Sequence, residues 1–325
     1  MQTTSIRGRL SLTRLGVGGA QLGNLGRTID DAQSQAVVDA GWERGIRYFD
    51  TAPHYGLGLS ERRLGAALAQ YPRDEYVLST KVGRLLVDTP ETADQVDPGG
   101  FQVPATHRRE WDFTRDGVLR SLEGSLERLG LDRVDIVYLH DPDFHWETAS
   151  TEGIQALIDL REEGVVGAVG VGMNQSAMPA AFIEHTDIDV VMLAGRYTLL
   201  EQPALADLLP LAAARGVGIV NVGIYNSGLL ARDRVPADAT YNYLPAPPEL
   251  VARANRIAEI CERWGTTLPT AAMHYGLDHP AIAAVVVGCR SAAQVEDAVR
   301  RVEADVPAGL WLELASEELI PATGE

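Results

Sequence analysis

Four side chains that can hold or transfer a proton stand beside short apolar runs of the sequence. Asp50, Lys81 and His140 each stand at the end of one such run, and Tyr55 lies in the segment after Asp50. Taken singly, each has an ordinary explanation as a surface carboxylate, a solvated ammonium or a capping group. If the runs are neighbouring parallel strands, however, the four side chains meet at one edge of the sheet and indicate a site for proton transfer.

The elements that must position these side chains alternate about eight times between a short apolar run and a longer amphipathic segment. The apolar runs are bounded by Gly, Asp or Pro, which is typical of strands buried on both faces of a parallel sheet. The predicted strands are Arg14–Val17, Ile46–Asp50, Tyr76–Thr80, Val134–Leu139, Val166–Val171, Val190–Leu193, Gly218–Val222 and Ala284–Val287. The predicted helices are Asp31–Arg44, Ser60–Gln70, Asp116–Leu129, Glu152–Glu162, Ala177–His185, Pro203–Arg215, Glu249–Arg263 and Ala292–Val302.

Glycines between these segments suggest how the units are joined. Gly45, Gly130, Gly164 and Gly216 each follow a predicted helix and precede an apolar run. A glycine in that place is typical of a helix C-cap and of the turn into the next strand. Eight such units favour a single α/β domain over residues 1–325, a (β/α)₈ TIM barrel, with an open doubly wound sheet as the alternative.

Three segments fall outside this alternation. Ile6–Leu12 reads as one strand of an N-terminal β-hairpin, with Gly8 near its turn. Two long Pro- and Gly-rich loops, at about 82–114 and 225–248, follow predicted strands. In a barrel both loops lie on the C-terminal face, where active sites are built, so we expect them to form pocket walls.

Composition excludes several classes of protein. The chain has 325 residues, of which 46% are hydrophobic and 22% charged, an ordinary globular balance. Its net charge of −17 argues against nucleic acid or an anionic membrane as a partner. The two cysteines, Cys261 and Cys289, form neither a disulfide framework nor a metal-binding motif. The chain has no secretory signal and no apolar run of about 18 residues, so we expect a cytoplasmic protein whose partner is a small molecule.

The catalytic candidates stand in a motif that resembles the signature of the aldo-keto reductases. Asp50-Thr51-Ala52-Pro53-His54-Tyr55-Gly56, followed by Ser60-Glu61 and Leu64-Gly65, is similar to DTAxxYGxxxSExxLG. Ser79-Thr80-Lys81 and Tyr138-Leu139-His140 resemble the family's strand-end lysine and histidine. The resemblance extends over essentially the whole chain and implies an NAD(P)-dependent oxidoreductase on a TIM barrel.

The resemblance also assigns roles to the four side chains. Tyr55 transfers the proton that accompanies hydride transfer, and Lys81 lowers its pKa, since a nearby ammonium favours the phenolate. Asp50 pairs with Lys81, and His140 orients the substrate oxygen or shares its proton. General acid–base help of this kind is typically worth about 10²–10⁴ in rate.

The cofactor site is inferred by the same resemblance. No Gly-rich segment completes GxGxxG between a strand and a helix, but this family binds nicotinamide cofactors without a Rossmann fold. The implied contacts lie at three places. They are the carboxamide site at Asn174, the pyrophosphate loop at Gly223, Ile224, Asn226, Ser227, Gly228 and Leu229, and the adenosine-phosphate site at Gly288, Arg290, Ser291 and Gln294.

Two departures from the family pattern bear on the cofactor. The usual glutamine after the sixth strand falls on Ala194, and the usual stacking tyrosine falls near Val222, which leaves Tyr225, Tyr197 or no ring at all to stack on the nicotinamide. Gln294 replaces an arginine that many NADPH-using members carry. Without that cation a 2′-phosphate loses a charge-assisted bond, although Arg290 offers a partial substitute. The pattern therefore favours NAD and leaves NADP open.

Within the family, the sequence is most similar to the sugar-oxidising branch of D-threo-aldose (L-fucose type), L-galactose and pyridoxal 4-dehydrogenases. The cues are His54 beside Tyr55, the form Gly170-Val171-Gly172-Met173-Asn174 and the Val-Val-Gly end of the last strand. This implies oxidation of a cyclic hemiacetal to its lactone. We expect a substrate pocket walled by His54, Trp111, Trp146 and Tyr241.

Other functions stay open from the sequence. They are a pyridoxal 4-dehydrogenase, a general aldehyde or ketone reductase, a nicotinamide-sensing regulatory barrel, and a Schiff-base aldolase that uses Lys81. The sequence does not indicate an oligomeric state or the physiological direction of the reaction.

Overall fold

The computed structural model describes residues 1–241 and 244–322, and within them eight parallel strands form a closed barrel. In chain order the strands are β1 Leu15–Gly18, β2 Tyr48–Asp50, β3 Val77–Val82, β4 Ile136–His140, β5 Ala168–Met173, β6 Val190–Ala194, β7 Gly218–Val222 and β8 Ile282–Gly288. Each strand pairs with its neighbour in the chain, and β8 pairs with β1. The prediction of a TIM barrel is confirmed, and the open sheet is wrong.

The helices surround the barrel. They are α1 Asp31–Glu43, α2 Leu59–Leu68, α3 Arg115–Leu129, α4 Ile154–Glu162, α5 Ala177–His185, α6 Leu208–Arg215, α7 Pro248–Arg263, α8 Leu268–Leu277, α9 Ala292–Glu303 and α10 Ala308–Ser316. Two predicted helices are shorter than expected. A π-helical turn, Ala149–Gly153, precedes α4, and a separate 3₁₀ turn, Pro203–Leu205, precedes α6.

The sequence did not predict α8 and α10. Helix α8 is buried on nearly every face, so its residues lack the period of an amphipathic helix. Its start nevertheless has recognisable signals, since the Thr267 side chain caps the Thr270 amide and Pro269 stands in the first turn. Helix α10 begins after Pro307 and is mostly apolar.

The N-terminal hairpin closes one end of the barrel. Its strands are Thr3–Ile6 and Leu10–Thr13, so the expectation of one strand over Ile6–Leu12 is wrong. Arg7 and Gly8 both have positive φ, +47° and +70°, and lie in the three-residue turn, Arg7 to Arg9, within that segment. The buried Ile6 and Leu12 side chains join the cluster that fills the barrel interior. Only the other end, at the carboxyl ends of the strands, is left for a ligand.

The two long loops carry further short strands. The first contains an antiparallel hairpin of Arg84–Asp88 with His107–Trp111, and the second contains Thr240–Tyr241 paired with Leu244–Pro245. Both stand on the open side of the barrel, as predicted. Among the described helices, none is both long enough and apolar enough to cross a bilayer.

Candidate active site

The ends of β2 and β3 bring Asp50 and Lys81 into direct contact. The Lys81 ammonium donates hydrogen bonds to Asp50 Oδ2 at 2.6 Å and to the Thr51 carbonyl oxygen at 3.0 Å. The Ser79 hydroxyl donates to Asp50 Oδ1 at 2.7 Å. All of these groups are buried. The carboxylate therefore has a partner on each oxygen, and the lysine is held in one position.

Tyr55 lies above this pair in the turn between β2 and α2. Its ring is half-buried, and the Lys81 nitrogen lies 4.8 Å from the ring centre. The turn is tight because the chain passes close to Gly23. A Cβ on Gly56, whose φ is +63°, would lie 2.3 Å from the Gly23 carbonyl oxygen. The glycine after the tyrosine is thus a geometric requirement of the motif.

His140, the last residue of β4, completes the predicted set. Its ring centre lies 6.1 Å from that of Tyr55 and 5.6 Å from that of His54. Burial, reinforced by the cations of Arg84 and Lys81, holds the pKa of His140 well below its usual value. The imidazole is therefore neutral, and its Nδ1 is buried without a hydrogen-bond partner among the described residues.

The pKa of Tyr55 differs from the expectation. Burial raises the pKa of Tyr55, and although Lys81 pulls that pKa down, burial has the larger effect. The expectation that Lys81 gives Tyr55 a pKa below the ordinary value is wrong for the protein alone, while the direction of the lysine's effect is as expected. Burial also pulls the pKa of Lys81 down, but Asp50 and Tyr55 together raise it above the ordinary value.

The raised pKa of Lys81 bears on the aldolase alternative. A Schiff base forms only from an unprotonated amine, which enzymes obtain by lowering the pKa of the lysine. Lys81 is instead held as an ammonium by a carboxylate at 2.6 Å. The geometry thus argues against Schiff-base chemistry at this residue.

Sequence reasoning missed four charged residues beside this site. Arg84 pairs with Asp141, the residue after His140, and Arg109 pairs with Asp97. Arg84 and Arg109 stand on opposite strands of the hairpin in the first long loop. The only signal for them in the sequence was that the loop follows a strand and is long, which predicted a wall and not its chemistry.

The residues predicted to wall the pocket lie in different surroundings. The ring of His54 lies beside those of Tyr55 and Phe101. Trp111 lies on the loop hairpin, where the Arg84 guanidinium is 5.4 Å from its ring centre.

The other two predicted wall residues pack elsewhere. Trp146 packs 4.9 Å from Phe182, a core residue of α5, so the structure gives this ring a packing contact in the helical layer. Tyr241 donates a hydrogen bond to Glu201, which also accepts one from Asn226.

Most predicted cofactor residues lie at the open end of the barrel. Asn174 is exposed directly after β5, and exposed positions on the later strand ends and loop are Gly223, Ser227, Gly228 and Gly288. The side chains of Ile224 and Leu229 are buried in the main core, so these two residues can offer a cofactor only main-chain contacts. The Asn226 amide donates to Glu201, while its buried Oδ1 has no partner among the described residues.

At the adenosine end of the predicted cofactor site, several of the side chains already make hydrogen bonds within the protein. The Ser291 hydroxyl caps α9 by accepting a hydrogen bond from the main-chain N–H of Gln294. Gln294 Oε1 accepts from the Arg290 main-chain N–H at 2.8 Å, and the Arg290 guanidinium donates to the Leu25 carbonyl oxygen at 2.8 Å. Arg290 Nε is buried without a partner among the residues described.

Two rings were candidates to stack on the nicotinamide, and for Tyr197 the structure contradicts that expectation. It is buried and packs against Tyr275 with ring centres 5.2 Å apart, so it cannot face a ligand. Tyr225 is half-buried, and its hydroxyl accepts a hydrogen bond from Arg301 at 3.2 Å. Ala194 and Val222, at the ends of β6 and β7, are both partly exposed.

Comparison with known proteins gives consistent matches. The model of the Aldo/keto reductase family matches residues 14–308. D-threo-aldose 1-dehydrogenase of Pseudomonas sp. is 47% identical, with 96% of this chain and 96% of that protein covered. Pyridoxal 4-dehydrogenase of Microbacterium luteolum is 38% identical, with 96% and 95% covered. The solved holo form of an aldo-keto reductase from Bacillus halodurans superposes with a TM-score of 0.76 at 25% identity, covering 100% of this chain and 98% of that one.

Proposed function

This chain belongs to the aldo/keto reductase family and is an oxidoreductase that uses a nicotinamide cofactor, and we propose that it oxidises an aldose at C1 to the lactone. The observation that carries the proposal is the arrangement at the open end of the barrel, where Lys81 donates to Asp50 at 2.6 Å and lies 4.8 Å from the centre of the Tyr55 ring. The 47% identity to an aldose 1-dehydrogenase supports the substrate class. We propose catalytic roles for Asp50, Tyr55, Lys81 and His140.

The residues at the later strand ends fit a dinucleotide. Gly223 has a positive φ of +68° and stands beside Gly195, also at +68°, so neither of these two residues places a side chain over the ends of β6 and β7. Arg290 Nε is a buried donor without a partner among the described residues, at the start of α9. A helix N-terminus with an arginine suits a phosphate.

We therefore propose that Asn174 and the segment 223–229 hold the nicotinamide and pyrophosphate ends, while Gly288 to Gln294 hold the adenosine end. When bound, the oxidised cofactor supplies the hydride acceptor. The preference for NAD over NADP, which rests on Gln294, is part of the proposal.

The protein's own residues would manage the proton. Oxidising a hydroxyl group releases a proton from its oxygen, and Tyr55 is the accessible group that can accept it as a phenolate. Lys81, fixed as an ammonium by Asp50, stabilises that phenolate against the burial that disfavours it. The neutral His140 would orient the substrate oxygen without adding charge.

A screen of cofactor reduction tests the proposal. The panel contains L-fucose, L-galactose, D-arabinose, pyridoxal and simple aldehydes, each with NAD and with NADP. We expect reduction with at least one aldose and formation of its lactone, and no reduction by the Tyr55→Phe variant under the same conditions. If the cofactor is reduced with pyridoxal and with no other member of the panel, the result would favour the second candidate, a pyridoxal 4-dehydrogenase. The 38% identical relative supports this candidate.

Other outcomes of the same screen would support other functions. The panel is also run with NADH and NADPH, and oxidation of these cofactors by simple aldehydes, without any reduction of NAD or NADP, would indicate a general reductase. Binding of cofactor without turnover of any member of the panel would indicate a nicotinamide-sensing barrel and would contradict the proposal.

A further inference from the structure

A buried ion pair, Arg109 with Asp97, stands beside His54 at the edge of the site. The Arg109 guanidinium donates two hydrogen bonds to Asp97, at 2.5 and 2.7 Å. The Asp97 side chain has no exposure and that of Arg109 has 9%. The pair is bidentate, and such a pair fixes the orientation of the guanidinium plane.

The same guanidinium also donates two hydrogen bonds to His54. Arg109 Nε donates to His54 Nδ1 at 2.6 Å, and Nη2 donates to the His54 carbonyl oxygen at 2.9 Å. An arginine in a protein stays protonated and has no acceptor, so His54 Nδ1 must offer a lone pair. The single proton of the neutral ring is then on Nε2, which makes Nε2 a hydrogen-bond donor. Burial and the cations of Arg84, Arg109 and Lys81 lower the pKa of His54 to about 2, in agreement with a neutral ring.

The donor has no partner within the protein. No hydrogen bond to His54 Nε2 occurs among residues 1–241 and 244–322, and the ring is only half-buried. The ring lies next to both proton-transfer candidates, with centres 6.0 Å from Tyr55 and 5.6 Å from His140. Phe101 packs edge-on against it at 5.2 Å and limits its rotation.

We propose that His54 Nε2 donates a hydrogen bond to a second hydroxyl of the sugar, and that Arg109 and Asp97 are positioning residues that fix this tautomer. The inference rests on the proposed oxidation of an aldose, since a polyol carries an acceptor hydroxyl beside the reacting carbon. A site built around a fixed donor discriminates against a substrate that lacks the matching oxygen, because the donor is then left unpaired. His54 thereby acts on the choice of substrate and Tyr55 on the transferred proton.

The first experiment measures the tautomer in the free enzyme. Histidine nitrogen chemical shifts by NMR distinguish a protonated Nε2 from a protonated Nδ1, and the His54 signals are assigned by their loss in His54→Gln. We expect only the Nε2–H form in the parent. In Arg109→Lys, which keeps a cation for Asp97 but loses the planar fork, we expect the second tautomer to appear. An Nδ1–H or doubly protonated ring in the parent would overturn the inference.

The second experiment tests the donor with matched substrates and variants. The aldose that the parent oxidises best is compared with its 2-, 3- and 4-deoxy analogues in the parent, His54→Leu and His54→Gln. We expect one deoxy analogue to lose roughly ten- to hundredfold in kcat/KM with the parent, about the effect of one hydrogen bond left unmade in a buried site. His54→Leu should lose a similar factor on the full sugar and little more on that analogue. Because a glutamine oxygen can accept from Arg109 and leave its amide free to donate, His54→Gln should restore most of the loss.

The outcomes separate this inference from the proposed function. Equal losses on the full sugar and on every deoxy analogue in His54→Leu would show a structural effect only and would overturn the donor role, while the aldose oxidation would stand. If the parent oxidises no aldose, the proposed function fails and the sugar subsite fails with it. The nitrogen shifts still decide in that case whether Arg109 fixes the ring.

Discussion

The Lys81 nitrogen lies 4.8 Å from the centre of the Tyr55 ring, and Lys81 is only 2% exposed. At this separation, and with water excluded, the ammonium interacts with the phenol far more strongly than it would in solvent. It does not cancel the effect of burial, since the pKa of Tyr55 stays above the ordinary value. The protein alone therefore presents a protonated Tyr55 at neutral pH, a form ready to give a proton to a carbonyl oxygen.

Replacing Tyr55 by phenylalanine tests its role in proton transfer. Tyr55→Phe removes the hydroxyl and keeps the ring, so packing against Phe101 is retained. We expect kcat to fall by about 10²–10⁴, the usual size of a general acid–base contribution. Cofactor affinity, measured by fluorescence titration, should stay within a few-fold. Turnover within about tenfold of the parent would remove Tyr55 from the proposed mechanism.

The pH dependence of oxidation tests Lys81. Because oxidation needs the phenolate and burial raises the pKa of Tyr55, we expect kcat/KM for oxidation to rise with pH above neutrality. Lys81→Met removes the cation that opposes burial, so the rising limb should move to higher pH and the rate at pH 7 should fall. Ser79→Ala is the control, since it removes a donor to Asp50 and leaves the lysine in place. A profile in Lys81→Met that overlays that of the parent would contradict the role of Lys81.

The barrel was predictable because its strands are short β-branched runs at regular intervals. Six of the eight observed strands begin one or two residues from the predicted position, the strand at Val190 begins at the predicted residue, and Gly218–Val222 was predicted at both ends. The interior of the long loops was not predictable. The hairpin that joins Arg84 to Trp111 pairs residues across a Pro- and Gly-rich segment with no period of its own.

The site was predictable only as far as the motif extends. Asp50, Tyr55, Lys81 and His140 could be found from their positions at strand ends. The contact between Arg109 and His54 joins residues 55 positions apart and depends on how the loop folds back over the barrel. The pKa of Tyr55 was misjudged in direction, since a sequence names the neighbouring cation but does not report how completely the ring is removed from water.

The closed end of the barrel offers a test of stability away from the site. Asp189 is fully buried, accepts hydrogen bonds from Arg161 and from the Val169 main chain, both at 3.0 Å, and has Arg9 at 3.3 Å. Asp189→Ala removes the buried carboxylate that pairs with Arg161 and leaves the arginine only the exposed Asp187, so we expect the free energy of unfolding to fall by about 3–5 kcal/mol in urea denaturation. Asp187→Ala, at a carboxylate 59% exposed that pairs with the same arginine, should cost no more than about 1 kcal/mol. Equal losses in the two variants would contradict the importance of burial.

Acid should destabilise the protein through two histidines of the site, the buried His140 and the half-buried His54. The pKa of His54 is lowered to about 2 and that of His140 is well below the ordinary value, chiefly by burial. In the unfolded chain both titrate near a pKa of about 6.5, so below that pH the unfolded state binds more protons and stability falls as pH falls. Above about pH 7, where the unfolded histidines have largely lost their protons, the two contribute little pH dependence.

Unfolding free energies measured by urea between pH 5 and 8 check this expectation. We expect a plateau above about pH 7 and a decline below it, with each of the two histidines adding up to about 1.4 kcal/mol per pH unit. His54→Gln should flatten the decline, and His185→Gln, at an exposed position, should not. An identical slope in His54→Gln and the parent would mean that His54 is not held neutral.

Cofactor choice depends on how α9 begins. Gln294 Oε1 is occupied by the Arg290 main-chain N–H, so this side chain can offer a ribose hydroxyl only its amide donor. Arg290 carries the charge at this place, but its guanidinium is bonded to the Leu25 carbonyl oxygen. A phosphate contact from Arg290 would therefore use its other N–H groups, among them the unpartnered Nε, in the orientation that the bond to Leu25 allows. It is the uncharged Gln294 side chain that favours a cofactor without a 2′-phosphate.

We accordingly expect kcat/KM to favour NAD over NADP by roughly tenfold, equal to about 1.4 kcal/mol. Gln294→Arg should move the preference towards NADP, because it adds a charge-assisted bond to the 2′-phosphate one helical turn from Arg290. The measurement is kcat/KM for both cofactors in the parent, Gln294→Arg and Arg290→Ala. Arg290→Ala should leave the ratio within a few-fold, since the arginine is held by Leu25 in our interpretation. A parent that prefers NADP and loses that preference in Arg290→Ala would instead identify Arg290 as the phosphate ligand and contradict the assignment of NAD.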